Sequence, residues 1–458
     1  MMPMRPVARA GGVTVTNSDD SATLVGIYLR GDEIGYNGGV RAAPDIEQRQ
    51  ARVTDAWQLG PGDAVLVSAG GLVAIPGTDQ HYPFRVHPDF RYLADLDVPD
   101  GVLAYDAGSG EWTVFTPRVD VDDRIWHTVS EPIGEPIESL DRWVAERSGT
   151  VHRLGAGAPS EPVLQRQLDE CRVRKDPAEL DRMRAAAAAT ARGFESLVAD
   201  LAPGRTEHQL RATVDAAFMR AGAQRPAYDS IVAVGTNAAV LHSSPGDRPV
   251  AAGDFVLVDA GASVDGYACD VTRTWVLGEP GRWQRFVWDT VVAAQQAAVE
   301  RCVPGVEYRE LHLDTATAMA RSFVEAGILR GEPADLVARG AMALFFPHGV
   351  GHLIGLVVHD VAGYAAGRER SAVAGLRLLR TDRPLESGIV VTIEPGIYFI
   401  DALLADPAVR TEFGGDVDWK LVDSELLHLG GVRIEDTVHV TNGGPEVLSA
   451  AIPKVLSV

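Results

Sequence analysis

The spacing of hydrophobic positions changes along the chain. Between residues 24 and 160 they come in short runs broken by turn residues. Asp63-Ala-Val-Leu-Val-Ser-Ala-Gly-Gly71 predicts a strand, and Gly101-Val-Leu-Ala-Tyr-Asp-Ala-Gly-Ser-Gly-Glu-Trp-Thr-Val-Phe115 predicts a hairpin. From Val163 to about Leu201 the pattern turns helical. Asp176-Pro177 offers a cap and a first-turn proline, and the alanine run 185–189 has the highest helix propensity available. The change of pattern places a domain boundary near 160–175, with a small mixed α/β domain over 1–165 and a larger domain over 166–458.

The larger region contains an internal echo. Leu201-Ala-Pro-Gly-Arg-Thr-Glu-His-Gln-Leu210 lies between two helical stretches, the second ending at Ala221-Gly222. Cys302-Val-Pro-Gly-Val-Glu-Tyr-Arg-Glu-Leu311 stands in the same position before a helix ending at Ala326-Gly327. Thr206 with Gln209 is a capping box in the first copy, whereas the second has Glu307 at that place. Strand-like runs follow each helical block: Asp254–Gly261 and Tyr267–Trp275, then Gly388–Glu394 and Val432–Val440. Helices and strands in separate blocks predict an α+β domain, a sheet covered by helices.

Composition narrows the setting. Of 458 residues, 42 are Lys or Arg and 63 are Asp or Glu, a formal net charge of −21 that opposes electrostatic capture of nucleic acid or an anionic membrane. The 46% hydrophobic and 23% charged content is that of a folded globular protein. Three cysteines, Cys171, Cys269 and Cys302, form no CxxC pair and encode neither a disulfide framework nor a thiolate metal site, so a reducing cytoplasm is expected. The N-terminal residues around Arg5 and Arg9 contain no apolar stretch suited to a signal peptide. The most apolar segment, 389–404, is interrupted by Glu394, Pro395 and Asp401, so no membrane span is expected.

The candidate chemistry sits on the strand-like runs. A turn at Val264-Asp265 makes Asp259 and Asp270 directly opposed, and one at Asp265-Gly266 makes them diagonal neighbours. In either register they share a face. Two like charges that close on an apolar strand require a shared proton or a cation. Three histidines, His348, His352 and His359, fall within twelve residues. His348 and His352 have the i, i+4 spacing of a helical zinc site, but no Glu follows His348 and two glycines disfavour helix. In an extended segment they again share a face. Glu394 ends an apolar strand stopped by Pro395, and strict alternation puts Arg433, Glu435, Thr437 and His439 on one face. Four carboxylates and an imidazole form a hard, oxygen-rich site suited to Mn²⁺, Co²⁺, Fe²⁺ or Zn²⁺, and a two-metal site of this kind is an apparatus for amide hydrolysis.

Asp259 with Asp270, His348-Gly-Val-Gly-His352, Val358-His359-Asp360, Thr392-Ile-Glu394-Pro-Gly and Arg433-Ile-Glu435-Asp together resemble the pita-bread metallopeptidases, in particular the Xaa-Pro dipeptidases (prolidases) and the related aminopeptidases P. The motifs run in order through residues 165–458. The N-terminal third is similar only through Pro83-Phe-Arg85 and Phe115-Thr-Pro-Arg118. The resemblance implies a C-terminal pita-bread domain with an internal pseudo-twofold repeat, preceded by a smaller creatinase/prolidase-like α/β domain. It implies that Asp259, Asp270, His352, Glu394 and Glu435 bind two divalent ions, Mn²⁺ before Co²⁺, Zn²⁺ or Fe²⁺, with Asp270 and Glu435 bridging. Glu394 also serves as general base, and His242, His348 and His359 stabilise the tetrahedral intermediate or position the scissile amide. Tyr228, Arg380 and Arg433 are implied substrate-binding residues.

The expected substrate is a small peptide with proline second, and the expected assembly a homodimer, with neither nucleic acid nor membrane as partner. Arg380, in Gly375-Leu-Arg-Leu-Leu-Arg380-Thr, aligns with the arginine by which prolidases hold the free proline carboxylate. The long stretch between Glu394 and Glu435 also looks like prolidase. The alternatives are an aminopeptidase P acting on longer peptides and a pita-bread binding module without catalysis. A solvated basic cluster is the competing account of Arg377, Arg380 and Arg383. Hydrolysis of organophosphorus esters, known in some relatives, is a further side activity to consider.

Overall fold

Asp63–Gly71 and Gly101–Phe115 form the strands expected of them. The first contains β1 (Ala64–Ser68), and the second folds into β2 (Val102–Asp106) and β3 (Glu111–Thr116), paired antiparallel. With β4 (Glu135–Pro136) and β5 (Val151–Gly155) they make a five-stranded sheet in the order β4-β3-β2-β1-β5. Alternation along β1 sends Val65 and Val67 against Val53, Trp57, Phe90 and Leu168 of the helices on one face. Leu66 packs on the other, with Ala104 and Phe115. The computed structural model describes residues 43–126 and 133–458. The N-terminal residues read above for targeting signals, Arg5 and Arg9 among them, lie outside the described residues. Among the described residues no helix is long and apolar enough to cross a membrane.

The helical stretch expected over 163–201 is two helices, Pro162–Val173 and Pro177–Asp200. Asp176 precedes a proline, which disfavours helical backbone there, and it caps the second helix through a reciprocal capping box with Glu179. Arg174, in the gap, forms an isolated bridge with Ile389, the residue before a later strand. The break therefore ties the connecting segment to the second domain.

The echo in sequence is an echo in structure. Gly204 and Gly305 both adopt positive φ, and their N–H groups donate to Val250 O (2.9 Å) and Leu385 O (2.8 Å). The residues two further on form matching isolated bridges, Thr206 with Pro249 and Glu307 with Pro384. Each then starts a helix, Glu207–Arg220 and Tyr308–Glu325, and each helix is followed by a positive-φ glycine, Gly222 and Gly327.

The strands of the first half are β6 (Arg225–Pro226), β7 (Ile231–Val234), β8 (Phe255–Ala260), β9 (Ala262–Val264), β10 (Tyr267–Ala268) and β11 (Val271–Val276). Those of the second are β12 (Val390–Ile393), β13 (Gly396–Tyr398), β14 (Gly431–Arg433), β15 (Asp436–His439) and β16 (Glu446–Val447). The β9–β10 turn settles the register left open above. Val264 pairs with Tyr267, and Asp265 (φ 48°) and Gly266 (φ 86°) are the two turn residues, a type I′ geometry. Asp259 therefore pairs with Thr272, and Asp270 is its diagonal neighbour.

The long strands expected over 267–275 and 432–440 are each interrupted at an acidic residue, and the one expected over 388–394 stops just before Glu394 and Pro395 and resumes as β13. Asp270, Glu394 and Glu435 fall in the gaps. There the backbone leaves its ladder and bonds elsewhere: Asp270 N–H to Thr437 Oγ1 (3.1 Å), Glu394 N–H to Val350 O (2.8 Å) and Glu435 N–H to Thr272 O (3.0 Å). The hydrogen bonds are kept while strict alternation is not. Gly261 makes one of these gaps feasible, since a Cβ on it would sit 1.8 Å from Cys269 O.

The capping box of Thr206 and Gln209 is formed (3.1 and 3.3 Å). Thr206→Ala is expected to cost about 1 kcal/mol, read as a lower urea midpoint with unchanged m value; an unchanged midpoint contradicts the assignment.

Candidate metal centre and active site

All eleven site residues singled out in the sequence line one cavity of about 660 Å³: Tyr228, His242, Asp259, Asp270, His348, His352, His359, Arg380, Glu394, Arg433 and Glu435. Asp259 comes from β8, and Asp270 from the gap before β11. Glu394 lies after β12, and Glu435 between β14 and β15. The histidine segment 347–360 is not helical, as its glycines predict, and this lets three imidazoles reach the same space. Gly351 is needed there: a Cβ would lie 2.0 Å from Thr392 O and 2.4 Å from the Tyr308 hydroxyl.

Of the face predicted along 433–439, only part reaches the cavity. Arg433 and Glu435 line it, whereas Thr437 holds the Asp270 backbone and His439 turns away to Glu446 (2.8 Å). The gap before β15 breaks the alternation. The solvated-cluster account fails for Arg383, which is buried and bonded to Ala362 O (2.6 Å) and Glu170 (3.0 Å). Arg377 is exposed and stands outside the cavity lining. Arg380 is exposed at the cavity and has no ion-pair partner among the described residues.

Hydrogen bonds orient the cluster. The Tyr228 hydroxyl lies within bonding distance of both Asp259 Oδ1 and Asp270 Oδ1, yet its one proton serves only one of them. Arg433 donates to Asp259 (2.5 Å), to Thr272 Oγ1 (3.0 Å) and to the Tyr398 hydroxyl (2.9 Å), and Thr272 in turn donates to Glu435 Oε2 (2.6 Å). His352 Nδ1 donates to Leu353 O (3.0 Å), which leaves Nε2 facing Asp270 Oδ2 (3.5 Å) and Glu394 Oε1 (3.6 Å). That is the tautomer a metal ligand requires. His348 is committed at both nitrogens: Nδ1 donates to Gly349 O (2.8 Å) and Nε2 accepts from Tyr398 (2.9 Å).

The cluster is short of positive charge. Burial pushes the Glu394 carboxyl up to about 7; His352 and Arg433 pull it down, and Asp270 and Asp259 push it further up. Burial and then Asp270 push Glu435 well above the ordinary range, and Asp259 is raised by burial against the pull of Arg433. Burial acts on Asp270 too, but the hydrogen bond and charge of His352 hold it below its usual value. Burial brings His348 down to about 3, with Arg433 adding to it, and His359 down to about 4, with His352 adding to it. Carboxylates so arranged take up protons or divalent cations. Ligand atoms of Asp270, His352 and Glu435 all lie within 4.8 Å of one another, so the donor set fits a metal ion.

A family model described as metallopeptidase family M24 matches residues 181–442, more than half of the chain, and the model of the aminopeptidase P N-terminal domain matches residues 46–135. The chain belongs to metallopeptidase family M24. Its relatives include the Xaa-Pro dipeptidase of Xanthomonas axonopodis pv. citri, 36% identical over 428 residues, which span 88% of this chain and 95% of that one. The Xaa-Pro dipeptidase of Stenotrophomonas maltophilia is 34% identical over 88% of this chain and 94% of its own. Among solved structures, proline aminopeptidase P II of Yersinia pestis matches with a TM-score of 0.75 and 26% identity over 90% of this chain and 97% of that one. Aminopeptidase PepP of Pseudomonas aeruginosa matches with a TM-score of 0.73 and 28% identity over 90% and 95%. The M24 chain thus carries an N-terminal aminopeptidase P-type domain before its pita-bread domain, as the motifs imply.

Sequence reasoning missed Thr272, Tyr398 and the further cavity arginines Arg211 and Arg370. Strand pairing was the available signal for Thr272, which stands opposite Asp259 once the turn is placed at Asp265-Gly266, whereas the break after Glu394 hides Tyr398. Nothing local marks the arginines. Adding Mn²⁺ or Co²⁺ to the M24 chain is expected to raise its melting temperature, corresponding to about 2.7 kcal/mol at a hundredfold excess over Kd. Asp270→Asn and Glu435→Gln are expected to lose most of that shift; equal shifts in wild type and variants contradict the assignment.

Proposed function

We propose that this metallopeptidase hydrolyses the Xaa-Pro bond of dipeptides, as the curated relatives' name describes for them. The observation that carries the choice is Arg380, an exposed guanidinium without an ion-pair partner among the described residues, in the same cavity as the acidic cluster. A dipeptide ends in a free carboxylate beside the scissile bond, and a guanidinium matches that carboxylate in shape and charge. Asp259, Asp270, His352, Glu394 and Glu435 are the proposed ligands of two divalent ions, Mn²⁺ first. When bound, such ions polarise a carbonyl and lower the pKa of water.

This chain's own residues supply the rest. Glu394 receives the proton of the attacking water and passes it to the leaving amine. His359 and His242 line the cavity without a hydrogen-bond partner among the described residues, so their N–H groups are available to the scissile carbonyl as negative charge develops on its oxygen. His348, bonded at both nitrogens, acts by fixing Tyr398 and through it Arg433. The division into domains at residues 165 and 166 belongs to the same reading.

The likeness to aminopeptidase P structures favours a second reading, removal of the first residue from longer peptides with proline second. Arg380→Ala separates the two. Loss of a charge-assisted hydrogen bond of about 1.5–3 kcal/mol raises KM for an Xaa-Pro dipeptide by ~10- to 100-fold and leaves a longer peptide nearly unaffected. Equal effects on both substrates, or cleavage of the longer peptide alone by wild type, contradict the dipeptidase reading. Glu394→Gln is expected to lower kcat by ~10²–10⁴-fold with the chain still folded; near wild-type kcat removes Glu394 from the role of base.

A further inference from the structure

A second buried charge cluster lies behind the site, between the N-terminal domain and the histidine segment. Asp360 uses both carboxylate oxygens. Oδ1 takes Arg172 Nη2 (2.7 Å) and the Val361 N–H (3.0 Å), and Oδ2 takes Lys175 Nζ (2.9 Å). Arg172 continues to Asp89 Oδ1 (2.7 Å), whose other oxygen accepts from Gln165 (2.9 Å). The side chains of Asp89, Arg172, Lys175 and Asp360 are 0, 3, 1 and 2% exposed, so these charges are desolvated and fixed. Gly355 is required for the approach: a Cβ there would lie 2.3 Å from Asp360 Oδ2 and 2.7 Å from Lys175 Cε.

The relay ends on the site. The Asp360 N–H donates to Leu353 O (2.9 Å), the same carbonyl that accepts His352 Nδ1 (3.0 Å). His359, the residue before Asp360, sets its ring edge-on against His352 at 4.4 Å between centroids. Fixing Asp360 therefore fixes the acceptor that selects the His352 tautomer and the ring packed beside it. An ion pair bought only for stability is a weak explanation here, because a buried pair is seldom more stabilising than apolar packing of the same volume.

We propose that Asp89, Arg172, Lys175 and Asp360 form a positioning relay through which the N-terminal domain sets the orientation of His352 and His359. The inference rests on the reading of His352 as a metal ligand. Its test uses the full chain loaded with Co²⁺ and reads the Co²⁺ dissociation constant and visible absorption spectrum alongside kinetics. Arg172→Met is expected to weaken Co²⁺ binding ~10-fold or more and alter the spectrum. Asp89→Asn, which touches no cavity residue, is expected to do the same to a smaller degree, lowering kcat with KM unchanged. Arg172→Lys is expected to restore part of the loss. If Arg172→Met does not fold, Asp89→Asn carries the test.

Wild-type Co²⁺ affinity and spectrum in the folded variants, with only the melting temperature lowered, overturn the relay. A wild-type chain that binds no Co²⁺ overturns it as well. A wild-type chain that binds Co²⁺ with the expected variant effects but leaves Xaa-Pro dipeptides intact overturns the proposed activity and supports the relay.

Discussion

Like charges held close together in a dry cavity repel, and much of this architecture answers that repulsion. Asp259, Asp270, Glu394 and Glu435 line one space, with Arg433 and His352 in contact with them as positive or ionisable-positive groups. Strands give up their regular ladders at three of the four acids, and backbone hydrogen bonds are re-formed with other partners. Gly261 and Gly351 let chains approach where no side chain fits. Tyr228, Thr272 and the Arg433–Tyr398–His348 chain then orient what remains. Such an arrangement is costly unless something positive completes it, and the donor chemistry fits divalent ions.

The repeat explains how four acids reach one place. Each half presents a helix pair and then a group of strands, and each contributes two of the carboxylates from successive strand regions. The histidine segment lies between the halves' strands in sequence and adds His352. The excursion that follows it carries Arg370 and Arg380 and is clasped at its neck. Arg368 pairs with Asp382 (2.9 Å), the Asp382 N–H reaches Gly363 O (2.8 Å), and Tyr364 donates to Leu379 O (2.8 Å). The acidic cluster and the cavity arginines Arg370 and Arg380 are thus on separate pieces of chain, which lets one change without the other.

Much of this was legible in the sequence because it depends on local pattern. The β2–β3 hairpin, the Asp176 and Thr206 caps, the paired aspartates and the non-helical histidine segment all follow from short-range chemistry. The strand gaps were not legible, since apolar alternation runs on through Asp270 and Glu435 and only tertiary hydrogen bonds break it. For Arg383 a solvated surface charge stayed open as the competing account, because its partners, Glu170 and Ala362, are set by the fold. Asp89, Arg172 and Asp360 are far apart along the chain, and no periodicity connects them. Pattern alone grouped four carboxylates and an imidazole into one site, and the family motifs added the expected role of each residue in it.

The proposal that the acidic cluster holds two divalent ions has a direct measurement. Elemental analysis of the purified full chain after equilibrium dialysis against Mn²⁺ is expected to give about two ions per chain, falling in Asp259→Asn. A chain that retains no Mn²⁺, or the same Mn²⁺ in wild type and Asp259→Asn, contradicts the account.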